Sequence, residues 1–177
     1  MPDNLALGPE AQTNNLLAVL RAERRDGRIG HDTEILPGVR LRIDPASRIS
    51  GRFASPPGEI LDLDIAVETR GEWTGLHVEM GRADLTGCGL VGLVCRSSAG
   101  GMDLVRPCLR SGTEKGFADT FFPKHLLSRP ESSLHLDVIE LAHHPMLPRR
   151  APWRELVLFL PTHRLKWTLQ DLRLFIL

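Results

Sequence analysis

The chain of 177 residues contains no tyrosine, and aromatic residues of all kinds make up only 5% of it. Any surface that recognises a ligand by ring stacking must therefore be built from Trp73, Trp153, Trp167 and a few phenylalanines. Net charge is also lacking: 22 basic residues balance 22 acidic ones. That removes the electrostatic footprint of a non-specific nucleic-acid binder, and no nucleic-acid partner is expected. No run approaches the roughly 20 apolar residues of a membrane helix, so no membrane partner is expected either. Cysteine is confined to Cys88, Cys95 and Cys108, an odd set whose spacing fits no zinc pattern. These thiols are expected to be reduced and to pack as small hydrophobes. Met1-Pro2-Asp3-Asn4 lacks the basic start and apolar core of an export signal, which together with reduced thiols predicts a cytoplasmic protein. Gly-x-Ser-x-Gly and phosphate-cradling glycine loops are missing, so no catalytic residue is assigned and no enzyme is expected.

What is present is strand. Hydrophobic residues are 42% and charged residues 25% of the chain, values of a globular protein. One helix is predicted over Gly8 to Asp26, with Pro9 in its first turn, a stripe of Leu16, Leu17, Val19 and Leu20, and Gly27 as the stop. Such a helix is marginal alone in water and has to dock, on its own domain or on a partner. Val39 to Ile43 alternates apolar and charged residues, as do Leu61 to Glu68, Leu76 to Met80 and Leu134 to Leu141. Leu90 to Cys95 is continuously apolar and reads as a central strand, whereas Pro107 places Met102 to Leu109 at an edge or end. The chain closes on two apolar strands, Trp153 to Pro161 and Trp167 to Leu177. The last changes phase at Gln170-Asp171, which predicts a β-bulge, and its apolar content predicts a central position, with Phe175 beneath a cover such as the helix. About nine strands without intervening helices need antiparallel pairing in two packed sheets. The expected fold is mainly β: an antiparallel β-sandwich of jelly-roll type over residues 31–177, preceded by an N-terminal helical arm over residues 1–30.

From Glu59 onward, Leu61-Asp62-Leu63-Asp64-Ile65 near the start and Leu169-Gln170-Asp171-Leu172-Arg173-Leu174 at the end resemble the jelly-roll carbohydrate-binding modules and their galactose-binding-like relatives. The resemblance implies a lectin-like, non-catalytic module that binds a glycan on a concave sheet face or at a loop rim. It also implies that a structural calcium is a common companion, for which no ligand set is assigned here; no other cofactor is expected.

Three groups of residues suit such a ligand. Trp73, His77 and Glu79 alternate with core residues on one strand, and His135 and Asp137 share a face opposite Leu136 and Val138 on another. An aromatic platform with fixed polar groups is what a sugar needs, if the two strands share a sheet. Arg96, Arg106, Arg110 and Lys115 form a basic set suited to an acidic glycan or another anion. The adjacent His143 and His144 come with no further converging ligands, and no metal is assigned. The alternative to a glycan module is an interaction domain that self-associates, or docks a partner protein, through its N-terminal helix.

Overall fold

Alternation along the chain resolves into two antiparallel sheets. The computed structural model describes residues 8–177. Among them are helix α1 (Ala11–Ala22) and the strands β1 (Arg25–Arg28), β2 (Asp32–Leu36), β3 (Val39–Ile43), β4 (Arg48–Ser55), β5 (Leu61–Thr69), β6 (Thr74–Gly81) and β7 (Leu90–Ala99). Then follow β8 (Asp103–Thr113), β9 (Gly116–Phe121), β10 (Leu126–Ser128), β11 (Ser133–Glu140), β12 (Arg154–Leu160) and β13 (Leu165–Ile176). One sheet has six strands in the order β1-β4-β5-β13-β7-β11. The other runs β10-β8-β12-β6-β3-β2, with β9 also paired to β8. The inward rows, among them Leu61, Leu63 and Ile65 from one sheet and Leu76, Val78, Leu156 and Leu158 from the other, are at most 3% exposed. This is the expected β-sandwich. The two closing strands β12 and β13 enter different sheets, so the short connector between them, half-buried to exposed, passes from one layer to the other.

β13 is central, between β5 and β7, and its register against β7 shifts between Leu169 and Asp171, where the sequence predicts a bulge. The extra residue keeps Trp167 and Leu169 on the core side before it, and Leu172, Leu174 and Ile176 after it. β5 pairs with β13 only as far as Leu169. Beyond the bulge, α1 takes over this side of the strand. Asn14 Nδ2 donates to the Leu174 carbonyl at 2.8 Å, and Asn14 Oδ1 accepts the Leu174 N–H at 2.9 Å. A side-chain amide thus copies the hydrogen-bonding of a neighbouring strand residue. Arg21 adds a bond to the Gln170 carbonyl and an ion pair with Asp171 at 2.6 Å. The helix therefore docks on its own domain, with Thr13, Leu17 and Leu20 buried.

Three expectations are corrected. The helix ends at Ala22, because Glu23 is already extended and Arg25–Arg28 pairs with β4; part of the arm is thus a strand of the six-stranded sheet. Gly27 stops no helix; it makes room for the Phe53 ring, 2.7 Å from where a Cβ would stand. Pro107 lies inside β8, an interior strand, because the partner on its far side changes there from β10 to β9. Its carbonyl, which accepts from Phe122, faces that gap, so the missing N–H leaves no ladder bond unmade. Phe175 is half-buried, and its ring lies over Gly92 of β7.

Cys95 and Cys108 are fully buried and Cys88 half-buried, all as free thiols. Burial pushes the Cys95 thiol up to about 12 and Cys108 further, so neither carries a thiolate at neutral pH.

Candidate functional site

The outer side of the seven-stranded sheet collects the polar residues that alternate with the core. Strand register sets them in three rows. The first is Glu34, Arg40, His77, Val157, Cys108 and Phe121, taken from β2 through β9. The second is Asp32, Arg42, Gly75, Phe159 and Arg106. The third is Glu79, Glu155, Arg110 and Asp119. Successive members of a strand on one face are two positions apart, so the aromatic rings gather on the half built by β12, β8 and β9, with Arg106, Arg110 and Asp119 among them, and the other half is ionisable.

On the aromatic half, the Phe121 and Phe159 centroids are 5.8 Å apart with tilted planes. The Arg106 guanidinium lies 3.6 Å above Phe121, and that of Arg110 lies 3.9 Å from the Phe117 centroid. Arg110 is also gripped by Asp119 through two bonds of 2.7 Å, a fork that holds the guanidinium plane in place.

On the ionisable half, Arg40 bonds Asp32 at 3.0 Å and Glu34 at 2.8 Å. The Arg40 hydrogen bond holds the Asp32 carboxyl below its usual range. Between the halves, His77 Nδ1 lies 2.8 Å from Glu155 Oε2, with both side chains largely buried. Burial by itself raises the Glu155 carboxyl. The His77 hydrogen bond and the nearby charges of His77, Arg42 and Arg110 outweigh it, and the net shift is downward.

Of the residues singled out from sequence, this face brings together His77, Glu79, Arg106 and Arg110. Trp73 precedes β6 directly and is 37% exposed. Lys115 is exposed in the turn between β8 and β9. The others lie elsewhere. Arg96 is on β7, in the six-stranded sheet. His135 and Asp137 are on β11 of that same sheet, so the two strands of the first candidate group do not share a sheet. They are opposite Leu136 and Val138, but in the reverse sense: they face inward, while Leu134 and Leu136 are 68% and 55% exposed. Asp137 can turn inward because its carboxylate accepts the N–H groups of Lys124 and Val138, at 2.7 and 2.9 Å. Burial holds His135 below the usual imidazole range.

Glu155, Arg42 and the three phenylalanines were not singled out from sequence. Glu155 carried a readable signal, as the one acid on a strand that is apolar apart from Arg154 beside it. The phenylalanines carried none, since only register brings Phe117, Phe121 and Phe159 together.

No protein-family model and no curated protein sequence matches the chain. Its fold does match solved structures. A carbohydrate-binding module of family 4 superposes with a TM-score of 0.56 at 10% identity, over 85% of this chain and 95% of that one. The N-terminal cellulose-binding domain of Cellulomonas fimi β-1,4-glucanase C gives 0.54 at 12% identity, over 83% and 95%. Endoglucanase 3 of Trichoderma harzianum, from family GH12, gives 0.51 at 7% identity, over 88% and 99%. The chain thus has the β-sandwich fold of the carbohydrate-binding modules, a fold it shares with a glycoside hydrolase.

Proposed function

We propose that this chain is a non-catalytic carbohydrate-binding module that takes a neutral polysaccharide on the outer face of its seven-stranded sheet. The observation that carries the reading is the division of that face: arginine-stacked phenylalanine rings beside a row of fixed hydrogen-bonding groups. Pyranose rings present an apolar C–H side and a rim of hydroxyls, and such a surface answers both. The neighbouring folds, two of them binding modules by description, support the same ligand class. A neutral polymer is favoured over the acidic glycan considered from sequence, because two arginines of this face, Arg40 and Arg110, are already engaged. Arg40 is held between Asp32 and Glu34, and Arg110 is forked onto Asp119. A docking role for α1 would have to use its outer side, since Thr13, Leu17 and Leu20 are buried in this chain.

Affinity electrophoresis in gels containing hydroxyethylcellulose, soluble xylan or polygalacturonate tests the reading. Retardation by a neutral polymer, unchanged in Arg96→Ala and lost in Phe121→Ala or Trp73→Ala, is the expected outcome. Migration unaffected by all three polymers, or retardation by polygalacturonate alone, would sink it.

A further inference from the structure

At the boundary of the two halves, one buried polar atom has nothing to bond. The His77 side chain is 5% exposed, and its Nε2 has no hydrogen-bond partner among the described residues. Leaving such an atom unpaired is costly, so its position on the outer side of the sheet, among polar groups, needs a reason. Its geometry is set by two neighbours. Glu155, opposite in β12, takes Nδ1 at 2.8 Å. An ionised carboxylate only accepts, so Nδ1 carries the proton, and whenever the ring is neutral Nε2 is a bare acceptor. Gly75, two residues earlier on β6, has no side chain, and the ring leans over it. A Cβ there would stand 2.9 Å from Nε2 and 3.3 Å from Val157 Cγ1. Arg42 and Phe159 flank Gly75 in the same row. Arg42 is loosely held, 3.8 Å from Asp32 and 4.0 Å from Glu155 and 39% exposed, so it is the side chain beside Gly75 that is freest to move.

We infer that Glu155, His77 and Gly75 form the polar floor of the site, with His77 Nε2 the fixed acceptor for one hydroxyl of the bound sugar. Glu155 is a positioning residue that acts through the imidazole, and Gly75 leaves the room that the ring edge takes. The ligand feature selected is an unsubstituted hydroxyl, because a methylated or acylated oxygen has no proton to give. This inference rests on the polysaccharide reading and adds to it the group on the ligand that is read.

The test uses cellohexaose and xylohexaose as probes. In the ¹⁵N-histidine-labelled chain at about pH 8, where an ordinary imidazole is neutral, His77 should show a protonated Nδ1 and a bare Nε2. Adding the hexasaccharide that binds should move the Nε2 resonance. In calorimetric titrations, His77→Phe should lower affinity about tenfold or more, as should Glu155→Leu. Glu155→Gln, whose amide oxygen still accepts from Nδ1–H, should recover most of the loss. An Nε2 signal that stays in place at saturating sugar overturns the inference without recourse to any variant. Wild-type affinity in His77→Phe overturns it while leaving the polysaccharide reading intact. Failure of the parent chain to bind either sugar overturns both.

Discussion

Single residues carry unusual weight where charge is buried. Arg154, 1% exposed at the start of β12, donates to the carbonyls of Ala83, Pro148 and Arg149 and to the Ser111 hydroxyl, with no carboxylate partner among the described residues. Burial pulls its guanidinium down to about 10, so it stays charged at neutral pH and pins the loop before β12 to the sheet. Replacing it strands several buried acceptors at once. Arg154→Ala should cost roughly 3 kcal/mol or more, read as a lowered urea midpoint, and Arg154→Lys should recover little because an ammonium has no fork. An Arg154→Ala chain that unfolds at the parent midpoint would show the network to be incidental. From sequence, Arg154 was one more strand-end charge. Nothing in Trp153-Arg154-Glu155 says that one of two adjacent charges points into the core and the other onto the open face.

At the scale of elements, the sheet is completed by something that is not a strand. Beyond the bulge, β13 meets α1, and Asn14 supplies the donor and the acceptor that a neighbouring strand would supply. Asn14→Asp keeps the acceptor and loses the donor, leaving the Leu174 carbonyl without it. The expected destabilisation is about 1–3 kcal/mol. Asn14→Leu, which loses both bonds, should cost more, and Asn14→Gln should not rescue it because the longer side chain misplaces the amide. Equal urea midpoints for parent, Asp and Leu variants would mean that the helix only leans on β13. The strands with strong apolar alternation were legible beforehand, and so was the bulge, because a change of phase in an apolar row has only one cheap remedy. β1 and β4 were not. Arg25-Asp26-Gly27-Arg28 and Arg48-Ile49-Ser50-Gly51-Arg52 are polar and contain glycine, and they are extended because they pair with each other and with β5.

For the whole molecule, the question is how two open sheets end. β11 forms an outer edge of the six-stranded sheet and carries exposed Leu134 and Leu136, which invites pairing with another chain. Asp137 guards it: an inward-pointing carboxylate ties up the Val138 N–H and anchors Lys124. Asp137→Ala should therefore shift the chain toward higher-mass species in concentration-dependent size-exclusion runs, while Arg173→Ala on β13 should not; an unchanged elution profile would remove the guard role. Asp137 and its neighbour His135 illustrate the limit of pattern reading. Alternation puts both residues on one face correctly, but the sign of the face depends on which side the other sheet lies, and no local pattern contains that. The same holds for the candidate site. The sequence by itself determined the fold class, the central closing strand with its bulge, and the alternation that aligns His77 with Glu79, because these follow from the period of hydrophobic burial within one strand. Only the tertiary structure decided that Glu155 meets His77, that three distant phenylalanines share a surface, and that Arg96 is on a different sheet from Arg106 and Arg110. Those are matters of register and sheet membership between strands far apart in the chain, and burial within each strand is satisfied equally well by many ways of pairing them.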